Sequence, residues 1–282
     1  MAERPQAHLE RWPVRIRELT VLRRENVTPH MMRLTLGGSN MNGFESHISD
    51  EHVKLLFPQT ADDLARIPTP DGDRLRWPRP MVPSRDYTVR RYDRAAGEID
   101  IDFVVHAGGL ASAWAQEVQL GNTMWVAGPP RGIRIPDEFG WRAYLADETG
   151  IPAVARCMEE LPEETRGVVV IETRDESDVL ELAAPRNMEV RWVFRKEQEP
   201  GTTSLLVDAA RSIEIPRGGG AYVWYGGEQG AIKPLRSWVK AAGLGQGEFD
   251  LTGYWRRGAR GDQMSMRDVV DAVKYIVRHG TH

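Results

Sequence analysis

Along the first half of the chain apolar and polar residues alternate almost one for one. The runs VRIREL from Val14, MMRLTL from Met31, VKLLF from Val53, DYTVRRY from Asp86, EIDIDFVV from Glu98 and TMWVA from Thr123 predict half-buried strands. In EIDIDFVV, Ile99, Ile101, Phe103 and Val105 take one face, with Asp100 and Asp102 on the face expected to be wet. A single helix, LASAWAQEV from Leu110, interrupts the series. This alternation predicts an antiparallel sheet or small barrel.

Beyond about residue 140 the rhythm changes. WRAYLAD, RGVVVIE, MEVRWVF and AYVWYGG are short, nearly continuous apolar runs, separated by the helical stretches IPAVARCMEEL, SLLVDAAR and IKPLRSWVKAAG. Strands of that kind are buried on both faces, as in a parallel sheet covered by helices. Pro152 suits a first helical turn, where its missing N–H costs nothing.

The length of 282 residues suits two domains. The expected fold class is therefore an all-β antiparallel barrel domain over residues 1–136, followed by an α/β parallel-sheet domain over 137–264. Residues 265–282 read as an amphipathic helix, because Met266, Val269, Val270, Val273, Ile276 and Val277 share one face and Gly280 follows as a stop. The proline-rich connection from Pro58 to Ser84 exceeds an ordinary hairpin loop and reads as functional or mobile.

Composition narrows the function. A net charge of −4 argues against a general nucleic-acid binder. The amino terminus lacks the apolar stretch of a secretory signal and no run of about 18 apolar residues occurs, so a cytoplasmic protein with no membrane partner is expected. The single cysteine, Cys157, excludes intrachain disulfides and lies on a helical apolar face, where it is expected to be structural. The seven histidines show no ligand-like spacing, so no protein-bound metal is expected.

Two stretches carry candidate chemistry. In SRDYTVRRYD, strand alternation sends Arg85 and Tyr87 one way and Asp86 and Thr88 the other. Arginine suits a pyrophosphate, a tyrosine ring suits a flat heterocycle, and a threonine hydroxyl can meet a flavin edge. The same residues would also serve an exposed basic strand. In HAGGLASAWA, Gly108 and Gly109 lead into a helix, whose free N–H groups around Gly109, Ala111 and Ser112 could cradle a phosphate. An ordinary helix-entry turn would use the same glycines.

In these stretches and several others the chain resembles the siderophore-interacting, FAD-binding ferric reductase family of the ferredoxin-reductase-like superfamily. The resemblance rests on the order of EHVKLLFP, RDYTVRRYD, IDIDFVVHAGGLASAWA, VAGPPRG, LADETGIPAV, YGGEQGAIKPLR and GYWRRG. It implies the ferredoxin-NADP reductase-like two-domain architecture. It also implies that Arg85, Asp86, Tyr87 and Thr88 hold FAD, with Thr88 at the reacting flavin edge. Gly108, Gly109, Leu110, Ala111 and Ser112 would complete the phosphate cradle, with Val104 and His106 as further cofactor neighbours. Asp147, Glu148 and Thr149 would lie near the flavin and the nicotinamide path, with Gly226, Gly227, Glu228, Tyr254 and Trp255 lining the cofactor side. Arg174 could meet the 2′-phosphate of NADPH, although Glu172, Asp175 and Glu176 crowd that turn and leave NADH open as donor.

A ferric siderophore is the substrate the resemblance implies, and Lys54, Arg131 and Arg256 form its expected basic patch. The alternatives are a general NAD(P)H-flavin reductase, a reductase linked to ferredoxin, or a flavin-containing siderophore binder with little turnover. Arg90 and Arg91 are expected to be surface charges. Monomer and homodimer stay equally open.

Overall fold

The computed structural model describes residues 4–258. The expected helix over 265–282 lies outside the described residues.

The first sheet is built from β2 (Ile16–Thr28), β3 (Met31–Gly37), β4 (His52–Leu56), β7 (Ser84–Thr88), β8 (Arg91–Asp93), β9 (Glu98–Val104) and β10 (Thr123–Ala127). They pair antiparallel in the order β7-β4-β10-β2-β3-β9-β8. The sheet curls, so that Tyr87 on edge strand β7 meets Phe103 on β9 with ring centroids 4.4 Å apart. Its alternating apolar residues, among them Leu19, Leu34, Leu55, Ile101 and Phe103, fill one core that α2 (Leu110–Glu117) covers through Ala111 and Ala115. β1 (His8–Arg11) pairs with β11 (Arg131–Arg134) alongside. The Pro58–Ser84 connection contains α1 (Ala61–Leu64) and a hairpin of β5 (Thr69–Asp71) with β6 (Arg74–Arg76).

Two sequence expectations change here. DYTVRRY is not one strand: it breaks at Val89 and Arg90, and its halves become the opposite edges of the sheet. The outward carboxylates Asp100 and Asp102 are buried rather than wet. Arg33 covers Asp102 through two hydrogen bonds of 2.7 and 2.8 Å, while Asp100 accepts from Thr35 at 2.7 Å and from Arg91 at 3.0 Å. Cross-strand cations thus replace water on that face.

The second sheet is parallel, in the order β14 (Asn187–Phe194), β13 (Arg166–Thr173), β12 (Trp141–Asp147), β15 (Ala221–Glu228), β16 (Phe249–Trp255). Helices α4 (Leu205–Arg211) and α5 (Ile232–Ala241) pack on one face through Leu206, Ala210, Leu235 and Val239. The other face buries Tyr144, Val169, Tyr222 and Trp224 under α3 (Ile151–Glu160) and under Val27, Met31 and Val104 of the first sheet. One apolar core therefore joins the two sheets, the β2–β3 hairpin standing where a further helix would lie. Cys157 is buried in that core, and burial pushes its thiol up to about 12, which leaves it an inert packing residue.

Polar contacts fasten the same seam. Arg156 on α3 donates to Val89 O at 2.9 Å and lies 3.6 Å from buried Glu51, and Arg90 bonds Glu159 at 3.0 and 2.5 Å. Arg90 is only 12% exposed on its side chain, so it is a bridge between the sheets and not the surface charge expected from sequence.

Candidate active site

Strand β7 pairs only with β4 and leaves its other edge open. Its two faces separate as alternation predicts. Arg85 and Tyr87 stand opposite Leu55 and Val53, whose side chains enter the core, so they lie on the inner face at the rim of the curled sheet. Tyr87 is half-buried against Phe103, and burial pushes its hydroxyl up, keeping the ring neutral. Arg85 donates to its neighbour's carbonyl, Ser84 O, at 2.8 Å.

On the outer face, Asp86 and Thr88 stand opposite Lys54 and His52. Thr88 is buried and faces Tyr254 of β16 across the seam. Tyr254 packs edge-on against Trp224 at 6.1 Å. Lys54 donates to Asp86 at 2.6 Å. Burial opposes the Asp86 charge, but His52, Lys54 and Arg131 together hold its carboxyl below the usual range.

Arg131 opens β11 with Arg11 as its register partner. Burial, and then the Arg11 charge, pull the Arg131 guanidinium down against the attraction of Asp86 and Asp250. Lys54 and Arg131 therefore both face Asp86, and Arg11 stands beside Arg131. Arg256 sits at the carboxyl edge of the parallel sheet. It lines a separate open cavity of about 360 Å³ with Gly201, Glu228, Gln229, Gly230 and Arg257, beyond the carboxyl ends of β15 and β16.

The turn before α2 is arranged for its own closure as well as for a ligand. The Ser112 hydroxyl donates to His106 O and accepts from His106 N, both at 2.8 Å, so its proton is engaged within the turn. The His106 ring fills the space beside Gly109, where a Cβ would lie 2.4 Å from the imidazole. Gly108, at φ +78°, has open space around it, and α2 begins at Gly109 without a side-chain cap. The N–H groups of the first turn of α2 are thus left for an outside acceptor.

At the carboxyl edge of the parallel sheet, Asp147 is a bracket. Oδ1 accepts from Thr149 N at 2.8 Å and Thr149 Oγ1 at 2.5 Å, and Oδ2 accepts from Glu228 N at 2.8 Å and Trp255 Nε1 at 2.7 Å. Burial pushes the carboxyl up against these four bonds. Beside it, buried Glu148 pairs with buried Arg195, a partner that no sequence motif signalled. Glu228 bonds Gly230 N and accepts from Arg257 N at 3.1 Å. The two glycines of this edge each leave room for a neighbouring side chain. A Cβ at Gly226 would lie 2.5 Å from the Trp224 ring, and one at Gly227 would lie 2.7 Å from Asp147 Oδ2.

Sequence reasoning also passed over Asp50, which reaches the seam from the loop before β4. Its Oδ2 accepts from Trp224 Nε1 at 3.3 Å, while its Oδ1 has no partner among the described residues. Burial, followed by the Asp250 charge, pushes its carboxyl up to about 7. No motif surrounds Asp50, so only the fold could reveal it.

The residues present fit FAD. A half-buried tyrosine on an open strand edge offers a face for a flat ring, Arg85 stands two residues away on the same face, and the uncapped start of α2 offers N–H groups to a phosphate. Among the described residues no three His, Cys, Asp or Glu side chains group as a metal site, and no helix is long and apolar enough to cross a membrane.

Comparison with known proteins agrees with this arrangement. Residues 20–133 match the model of the siderophore-interacting FAD-binding domain, and residues 139–258 match that of the siderophore-interacting protein. The chain is 34% identical over 247 residues to the NADPH-dependent ferric-chelate reductase of Escherichia coli, covering 86% of this chain and 93% of the relative. It is 28% identical over 248 residues to the ferric vibriobactin reductase ViuB of Vibrio cholerae, covering 86% and 90%. The crystal structure of a siderophore utilization protein from T. fusca superposes with a TM-score of 0.82 at 39% identity, covering 90% of this chain and 97% of that one. A ferredoxin-NADP+ reductase from Plasmodium falciparum shares the fold alone, at 12% identity and a TM-score of 0.62. The antiparallel sheet with its open edge, the parallel sheet beside it and these matches place the chain in the siderophore-interacting protein family, with an FAD-binding domain in its first half.

Proposed function

We propose that this protein is an FAD-dependent ferric-siderophore reductase that takes electrons from NADPH and acts in the cytoplasm on chelates already imported. The names of the Escherichia coli and Vibrio cholerae relatives support the reaction class and the donor. The observation that carries the reading is the adjacency of two groups on β7: the ring-and-arginine face of Tyr87 and Arg85, and the cation cluster of Lys54 and Arg131 behind Asp86.

Bound FAD supplies the conversion between the two-electron chemistry of a nicotinamide and the one-electron reduction of ferric iron. The residues of the chain position the partners. Arg85 would neutralise the pyrophosphate, Tyr87 would present its neutral ring, and Thr88 would offer a hydroxyl at the strand edge. Lys54 and Arg131 attract the anionic chelate, which would relieve the mutual repulsion of Arg131 and Arg11. Ferrous iron binds hard oxygen donors less tightly than ferric iron, so reduction loosens the chelate. Asp147, Glu228 and Trp255 act as a frame, holding the carboxyl ends of β12, β15 and β16 where an open parallel sheet receives a dinucleotide.

Two substitutions separate the two groups. Arg85→Ala should lower FAD content after purification and weaken FAD rebinding about tenfold, the effect of one charge-assisted hydrogen bond. Lys54→Ala should keep its FAD and raise the KM for an anionic ferric siderophore about fivefold, with the difference shrinking in high salt. Loss of FAD from the Lys54 variant, or a siderophore KM that ignores it, contradicts the assignment.

A further inference from the structure

Strand β1 pairs with β11 in a ribbon outside the two large sheets, and its register sets Arg11 directly opposite Arg131. Directly opposed residues of an antiparallel pair send their side chains to the same side, so two guanidinium groups share one patch. Like charges so placed repel, and after burial the Arg11 charge is what pulls the Arg131 guanidinium down most. The other side of the ribbon is neutralised. There Glu10 accepts from Arg134 through two hydrogen bonds of 2.9 and 3.0 Å.

Nothing comparable compensates the arginine pair. Among the described residues, neither Arg11 nor Arg131 makes a side-chain hydrogen bond or an ion pair. Asp86 and Asp250 attract Arg131 only from beyond ion-pair distance, and each has another partner: Lys54 donates to Asp86 at 2.6 Å, and Thr252 Oγ1 donates to Asp250 at 3.1 Å. Arg11 is exposed and Arg131 half-buried, so the pair is open to an incoming group from the side of β1. The patch continues inward, because β10 ends at Ala127 opposite Lys54 and leads through Gly128 and two prolines into β11. Cations thus run from Lys54 through Arg131 to Arg11, with Asp86 between the first two. A ferric ion held by three catecholates is trianionic, whereas three hydroxamates give a neutral complex, although both wrap the iron in hard oxygens.

We propose that Arg11 joins Arg131 as a two-guanidinium clamp on ionised oxygens of the chelate, which makes β1 the element that favours trianionic over neutral chelates. This rests on the reading of the protein as a ferric-siderophore reductase. An anion seated between the opposed guanidinium groups replaces their repulsion by a charge-assisted hydrogen bond on each side. The repulsion in the unliganded ribbon is then the cost of a preformed site, and a neutral chelate offsets less of it.

Calorimetric titration of the FAD-loaded protein with gallium(III) tris-catecholate and gallium(III) trihydroxamate tests the clamp, because gallium carries the charge of ferric iron and takes no electron. The unaltered protein should bind the trianionic chelate more tightly, by a margin that shrinks in high salt. Arg11→Gln keeps most of the stem and removes the charge, and should lower that preference about fivefold. Arg11→Glu sets an acid opposite Arg131, so its urea midpoint should be no lower than the parent's, and it should lose the preference further. A preference unchanged in both variants overturns the proposal while the reductase reading stands. A urea midpoint that falls in both variants makes Arg11 a structural residue and overturns it equally. Failure of the unaltered protein to reduce the ferric form of either chelate sinks the reductase reading, and the clamp with it.

Discussion

Asp147→Ala should destabilise the protein, free of any ligand, by about 3 kcal/mol, with a matching fall in the midpoint of urea unfolding. Four donors from three separate elements end on this carboxylate: the N–H and hydroxyl of Thr149 in the turn after β12, the N–H of Glu228 at the end of β15, and the indole N–H of Trp255 at the end of β16. Truncation leaves them unmatched in a site where Asp147 itself is buried, and each unmatched buried donor costs about 1–3 kcal/mol before water recovers part of it. Asn is no conservative exchange here, because its amide nitrogen would face either the Thr149 donors or those of Glu228 and Trp255. Asp147→Asn should therefore lose stability as well, though less. Had Asp147 served only as a ligand contact, both variants would keep the stability of the parent and differ only in affinity.

The second large effect is a pH dependence located at Asp50. Burial and the neighbouring Asp250 hold its carboxyl at about 7, against an ordinary 3.8 in the unfolded chain. Between about pH 4 and pH 7 the folded protein keeps a proton that the unfolded chain has released, so stability falls as pH rises through that window and levels off above it. The shift corresponds to a contribution on the order of 4 kcal/mol. Asparagine mimics the protonated side chain and has no charge to bury. Asp50→Asn should match the parent in chemical denaturation at pH 4 and exceed it at pH 8. Equal midpoints at both pH values would mean that water or movement of the loop already compensates the charge.

The sequence carried most of the fold because its periodicities are local. Alternation in β3, β9 and β10 and the apolar runs of β12, β13 and β15 each reflect how many faces of the strand are buried. The fifth parallel strand, β16, escaped notice because it lies at the sheet edge and buries only Leu251 in its interior, which leaves no apolar run. Asp100 and Asp102 were expected to be wet because nothing local announces that Arg33 and Arg91 will cover them.

The candidate site was legible as residue types and not as roles. RDYT kept the two-faced arrangement that alternation dictates. Lys54 and Arg131, far apart in sequence, meet because β10 pairs with β4 and β11 follows directly. Arg256, given the same role by motif, lines an open cavity with Glu228 and Arg257. Gly226 and Gly227 illustrate the limit most clearly. A Cβ at either position would meet Trp224 or Asp147, a requirement that the letter glycine alone does not announce.

The central claim, electron flow from a nicotinamide through FAD to a chelated ferric ion, is tested most directly by anaerobic mixing in two stages. The FAD-loaded protein is first mixed with NADPH and then with a ferric siderophore, while the flavin absorbance is followed. The account predicts bleaching in the first stage and recovery of the oxidised spectrum in the second, with ferrous iron trapped by a specific chelator in a ratio of two per flavin. A flavin that NADPH bleaches but that the ferric siderophore leaves bleached contradicts it, and would assign the electrons to another acceptor.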